Sequence, residues 1–187
     1  TTILVADPAD ASNMVLQSIR AGDAACFAGT TVGQTLGFVD PIPFAEGATT
    51  MSVRVWSPAA GVRVLAKVAQ VDMPAIFVET LATTTMAGAW ETLVFDFSNP
   101  MPNMTPINFE SVYNKFSIFF DFSCDLMPVP PAPPEATYFW DDIQFGGTPP
   151  PMGTPIADVR SAELGTEFTF SGVVTRSMGD FTYVQDE

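Results

Sequence analysis

The chain contains no histidine, which removes Ser-His-Asp and Cys-His nucleophile arrangements and every His-based zinc site in one step. Neither standard Gly-rich phosphate loop occurs. Its two cysteines, Cys26 and Cys124, stand too far apart in sequence for a C-x-x-C redox or metal motif. One disulfide and two buried free thiols both fit, since sequence does not set the Cα separation that a bridge needs. No apolar run is long enough to cross a bilayer as a helix. Positive charge is scarce: Lys67, Lys115 and five arginines face 21 carboxylates, for a formal charge of −14. Such a surface repels phosphate backbones and anionic headgroups, so neither nucleic-acid binding nor membrane insertion is expected. Cations are the fitting ionic partners; the plain alternative is an acidic, solvated surface that aids solubility.

What the chain has is apolar and aromatic residues in alternation. At 47% hydrophobic with 16 Phe, it has ample material for a core. The stretch Ala87–Phe97, AGAWETLVFDF, is read as the one around which the rest is organised. Leu93, Phe95 and Phe97 point one way and Thr92, Val94 and Asp96 the other, the period of a pleated strand. Trp90, which opens it, is assigned to the core. YNKFSIFFDF (Tyr113–Phe122) and TYFWDDIQF (Thr137–Phe145) repeat the mixture of aromatics and acids. The fold class expected is all-β, a β-sandwich.

In chain order, Thr1–Ala6 reads as a short strand ended by Asp7-Pro8. DASNMVLQSIRAGD is read as a short helix or irregular loop. Ala24–Val32 and Gln34–Val39 look like strand material in which Gly29, Gly33 and Gly37 mark bulges or close backbone approach. In MSVRVWS, Met51, Val53 and Val55 share a face opposite Ser52, Arg54 and Trp56. In GVRVLAKVAQV, Val62, Val64, Ala66 and Val68 oppose Arg63, Leu65, Lys67 and Ala69. The loop Ser57–Gly61 between them is short enough for a hairpin. A strand over Ala75–Thr83 follows. The Met-rich NPMPNMTPINFES and the Pro-rich SCDLMPVPPAPPEA are long loops on this framework, places for recognition or mere decoration.

Residues 148–155 are linker by composition, separating a module at 1–147 from a segment at 156–187. In that segment two or three strands are expected around a turn at Met178-Gly179-Asp180. The chain opens directly on strand-like sequence and stops inside it, so both ends are expected to be cut from something longer.

DPADASN (Asp7–Asn13), MSVRVWSPAAGVRVLAKV, TTTMAGAWETLVFDF, YNKFSIFFDF and YFWDDIQF together resemble galactose-binding-like, jelly-roll modules. These are similar to carbohydrate-binding modules of large secreted bacterial proteins, many exported by the type IX secretion route. The tail, IADVRSAELGTEFTFSGVVTRSMGDFTYVQD, resembles the first half of an OB-fold domain. The resemblance implies a non-catalytic module at the cell surface or outside the cell, binding carbohydrate for adhesion or targeting. The alternative is a structural module that packs against partner chains in a filament, surface layer or secretion complex. It also implies a structural calcium ion between an early loop and the last strand, with Asp7, Asp141 and Asp142 as ligands.

Adjacent residues in a strand face opposite ways, so Asp142 is placed with Trp140, and Asp141 with Phe139 and Ile143. A carboxylate on that apolar face needs a metal or hydrogen bonds; satisfaction by backbone N–H groups serves as well. Sugar stacking needs exposed aromatic faces with polar partners for hydroxyls. Trp56, Tyr113, Tyr138 and Trp140 are the candidates, with Arg54, Asn114 and Gln144 as partners, although core packing is the more usual place for each such aromatic. Of Asp96, Asp121 and Asp142, spacing singles out no pair for glycoside hydrolysis. No enzyme is expected.

Overall fold

Alternation of apolar and polar side chains gives each strand one face that water disfavours, and a sheet with such a face must cover it with a second layer. The computed structural model describes residues 1–33, 35–131 and 133–145, and the backbone of β10 (Val173–Met178) and β11 (Phe181–Gln185). Among the described residues there is no helix. The chain divides into two units, Thr1–Thr148 and Pro149–Glu187.

The first unit is a sandwich of two antiparallel sheets. One contains β1 (Thr2–Ala6), β2 (Met14–Arg20), β4 (Thr50–Ser57), β7 (Ala89–Asp96) and β9 (Ala136–Phe145), in the order β1-β2-β9-β4-β7. The other contains β3 (Thr30–Val32), β5 (Arg63–Ala69), β6 (Phe77–Thr83) and β8 (Lys115–Phe120), in the order β3-β8-β5-β6. Between them lies one core of Met51, Val53 and Val55 from β4, Val64, Ala66 and Val68 from β5, Leu93 and Phe95 from β7, and Phe116, Ile118 and Phe120 from β8. Tyr138 and Trp140 of β9 complete it, Tyr138 stacked on Phe120 with ring centroids 4.4 Å apart.

Several expectations change. The segment expected as helix or loop is β2, whose inward positions include Ser18 and Arg20 rather than an apolar row. Ser18 earns its place by accepting the Trp140 Nε1–H at 2.9 Å. The stretch expected to organise the chain, β7, is an edge strand; the middle of its sheet is β9. Ser57–Gly61 makes no hairpin, because β4 and β5 belong to different sheets. The crossing is held by Ala59 O, which accepts from Ser57 Oγ at 2.7 Å and Thr84 Oγ1 at 3.0 Å, and by Gly61 N–H donating to Thr84 O at 2.8 Å. At φ +80° Gly61 adopts the left-handed turn conformation that glycine favours.

Among the described residues of the Gly-rich stretches, only Thr30–Val32 is strand. Gly29 does mark a close approach, since a Cβ there would stand 2.6 Å from Ile118 O. The methionines of the long loop cover the outside of the second sheet, where Met101 and Met104 pack on Leu65 and Phe122. In the second unit, β10 and β11 pair antiparallel on either side of the expected turn. The linker at 148–155 and most of the OB-like segment lie outside the described residues.

Cys26 and Cys124 form a disulfide across 98 residues, joining the loop after β2 to the loop after β8. A cross-link of this kind persists in an oxidising, extracytoplasmic environment. Closing so long a loop lowers the entropy of the unfolded chain, a contribution of about 4 to 5 kcal/mol on the chain-entropy account. Denaturant unfolding should therefore show the Cys26→Ser, Cys124→Ser double variant, or the reduced protein, less stable by about 2–4 kcal/mol.

Candidate functional site

On the outer face of the five-stranded sheet, side chains opposite those of the core form a continuous aromatic and charged surface. Trp56 stands directly across from Trp90 of β7 and from Phe139 of β9. Trp56 and Phe139 meet edge to face at 5.4 Å between centroids, and all three rings are half-buried. One step along, Arg54 is opposite Thr92 and Asp141, with its Cζ 4.1 Å from the centre of the Trp90 ring. This is a cation–π contact.

The loop between β1 and β2 brings a buried carboxylate to this surface. Asp7 accepts from Ala9 N–H at 2.7 Å and Trp90 Nε1–H at 2.9 Å, and pairs with Arg54 Nη2 at 3.4 Å. Burial alone would push its pKa up, but these donors and the guanidinium together hold it below the usual carboxylate range. Arg54 Nη1 also lies 3.9 Å from Asp142, and Asn13 Nδ2 donates to Asp141 Oδ2 at 3.2 Å. Asp7, Arg54 and Trp90 thus form one unit that orients an indole and a guanidinium.

Pairing of β4 with β9 shifts register between Ser52 and Arg54, and Asp142 sits there at φ +49°, a left-handed conformation that Asp tolerates better than most residues. The bulge resets the alternation of β9. Asp141 shares the outer face with Phe139, as expected, but Ile143 packs toward the core. Asp142 is not on Trp140's face, since Trp140 is fully buried and Asp142 is exposed. Gln144, opposite Ser52, is exposed at the border of the outer surface.

The expected site residues therefore separate. Trp56, Arg54, Gln144, Asp7, Asp141 and Asp142 are brought to one face. Tyr113, Tyr138 and Trp140 are corrected: all are core residues, with Tyr138 donating to Asp121 and Tyr113 accepting Asn108 N–H at 3.1 Å. Asn114 is occupied elsewhere, accepting Val71 N–H at 2.9 Å. Trp90, expected in the core, belongs to the outer surface, and Phe139 and Asn13 join it. Parity carried the signal for Trp90, which falls on the side of Thr92, Val94 and Asp96. Asp7 and Asp142 both face the Arg54 guanidinium, and among the described residues no three Asp, Glu or Cys side chains stand together as a metal set.

Because the folded pKa of Asp7 lies below its unfolded value, its ionisation stabilises the fold above about pH 4 and that contribution disappears as pH falls through the lowered value. Acid titration followed by circular dichroism should show the parent losing stability below about pH 4, with Asp7→Asn losing less over the same range. Arg54→Met, which leaves the Asp7 carboxylate buried without its cation, should cost about 2–4 kcal/mol at pH 7.

No family model matches this chain, and no curated protein matches it either.

Proposed function

We propose that this chain is a non-catalytic binding module whose outer aromatic face holds a larger secreted or cell-surface protein to a polysaccharide. The observation that carries this reading is the row Trp90–Trp56–Phe139 across three adjacent strands, bordered by Arg54, Asp141, Asp142 and Gln144. Indole and phenyl faces pack on the apolar C–H surface of a sugar ring, while carboxylate, guanidinium and amide groups hydrogen-bond its hydroxyls. A sheet face suits an extended chain, because its side chains keep fixed spacing along and across strands. The Asp7 and Arg54 contacts to Trp90 fix that ring before any ligand arrives, which lowers the entropy lost on binding. The jelly-roll, galactose-binding-like resemblance supports the same reading, as does the disulfide for a place outside the cytoplasm.

A second reading, a module that packs on partner chains, is favoured by a different observation. Leu36, Val39 and Met127 are 90%, 99% and 87% exposed, unusual for large apolar side chains.

Binding to a broad panel of soluble polysaccharides, followed by affinity electrophoresis and calorimetry, tests the first reading. At least one polysaccharide should bind, and Trp56→Ala, still folded by circular dichroism, should weaken it by about tenfold or more; silence across the panel overturns the reading. Under the second, sedimentation velocity should show concentration-dependent association that Leu36→Asp with Val39→Asp abolishes.

A further inference from the structure

The two sheets of the sandwich end in four edge strands, and three of these are blunted. β6 is capped by the Met-rich loop, with Met101 N–H donating to Glu79 O at 2.8 Å and Asn99 O accepting from Thr80 Oγ1 at 3.2 Å. β3 is only three residues long, and β7 carries Glu91 and Asp96, charges that resist edge-to-edge pairing. β1 has none of these devices: TILVA holds no charge, no proline and no bulge.

The bonding pattern shows which groups of β1 are open. Thr1 and Ile19 exchange both backbone bonds, at 2.8 and 3.0 Å, and Asp7 N–H donates to Asn13 O at 2.9 Å. With the β1–β2 register, this alternation turns the N–H and C=O of Ile3 and Val5 toward β2, and those of Thr2, Leu4 and Ala6 away from the sheet. Among the described residues nothing meets these outward groups. Leu4, on the core side with Leu16, is 62% exposed, and Ile3, on the outer side, is 49% exposed. Apolar side chains uncovered on both faces, beside a row of unmet backbone groups, make a template for another strand.

The sequence of the strand identifies its occupant. Run antiparallel against its own copy with Leu4 at the centre, β1 sets Leu4 against the partner's Leu4, Thr2 against the partner's Ala6 and Ile3 against the partner's Val5. The outward groups then form one Leu4 pair and two Thr2–Ala6 pairs, each exchanging both backbone bonds. No charge enters any pair. A chain of formal charge −14 repels its copy over most of its surface, so an uncharged strand that matches itself is where a copy can approach.

We infer that this chain pairs with a second copy of itself through β1, antiparallel about a two-fold axis at Leu4, so that two five-stranded sheets become one continuous sheet. The axis stands perpendicular to that sheet, and both outer aromatic faces therefore point the same way, with the two Phe139 residues roughly 25 Å apart across five strand spacings. The pairing stands whether or not that face binds sugar. That two aromatic rows grip one polysaccharide together, with the gain in avidity this brings, rests on the reading proposed above.

The test is sedimentation velocity of the full chain at rising concentration, with amide hydrogen exchange of the associated species. A monomer–dimer equilibrium is expected, in which the Thr2, Leu4 and Ala6 amides slow by about tenfold or more while Ile3 and Val5, already bonded to β2, change little. Leu4→Pro removes one outward N–H and spares the β1–β2 ladder, since an edge strand tolerates proline whose nitrogen faces solvent. It should weaken the dimer by about tenfold or more. Leu4→Lys, which sets two ammonium groups across the axis, should weaken it too and regain affinity with added salt. If Leu4→Pro does not fold, Leu4→Lys decides. Leu36→Asp with Val39→Asp should leave this dimer intact. Association that survives both Leu4 variants, or that leaves the Thr2, Leu4 and Ala6 amides exchanging as in the monomer, would overturn the inference. A chain that binds polysaccharide but stays monomeric at every concentration would overturn it as well, and leave the polysaccharide reading standing.

Discussion

The structure depends on the burial of one face of β4 against one face of β5. Met51, Val53 and Val55 are wholly removed from water, as are Val64, Ala66 and Val68, and the two strands follow one another in sequence. Because both present their apolar side to the other, the short chain between them has to step from sheet to sheet rather than turn back within one. Everything else is added around this pair: β7 and β9 flank β4, β6 and β8 flank β5, and the aromatics of β8 and β9 fill the remaining space by stacking. At about 25 cal/mol per Å² of apolar surface removed from water, it is this interior, and not any surface ion pair, that sets the scale of stability.

How much of this was legible in the sequence varies residue by residue. MSVRVWS and GVRVLAKVAQV announce their faces because valines alternate with charged residues, and water sorts them. Met14–Arg20 does not, because Ser18 and Arg20 face inward for reasons visible only in three dimensions: one accepts from an indole on a strand distant in sequence, the other lies under a loop. A five-residue connection has the same length whether the next strand pairs or crosses, so Ser57–Gly61 was silent about topology. Phe139 and Trp140 are adjacent aromatics on opposite faces; hydrophobicity does not tell which is core, and the hydroxyl of Ser18, which accepts the Trp140 indole N–H inside the sandwich, is visible only in three dimensions. The bulge at Asp142 then shifts the parity of every later residue in β9, which separates Ile143 from Asp141.

The acidic composition acquires a more specific meaning through the few cations. Each arginine or lysine paired with a carboxylate ties two segments distant in sequence: Arg54 joins β4 to the β1–β2 loop, Arg63 joins β5 to the loop after β8, and Lys67 bridges β5 and β6. Solvent-exposed pairs of this sort contribute little energy. The partly buried Asp7–Arg54–Trp90 group differs, since a carboxylate removed from water is met by three donors of different kinds and in turn fixes the orientation of two groups on the outer surface. Aromatic surface and charge are thereby combined on the same face.

The bond between Cys26 and Cys124 has a mechanical side. Most of the sandwich, from β3 through β8, lies between the two sulfurs, so tension applied along the backbone bypasses it through a covalent shortcut. Of the strands of the sandwich, β1, β2 and β9 lie outside that bracket and are the ones free to peel away under load. The 98 residues held back correspond to about 330 Å of extended chain. A chain wired this way cannot be drawn out between its two cysteines, so β3 through β8 stay linked under forces that would extend an uncrosslinked sandwich.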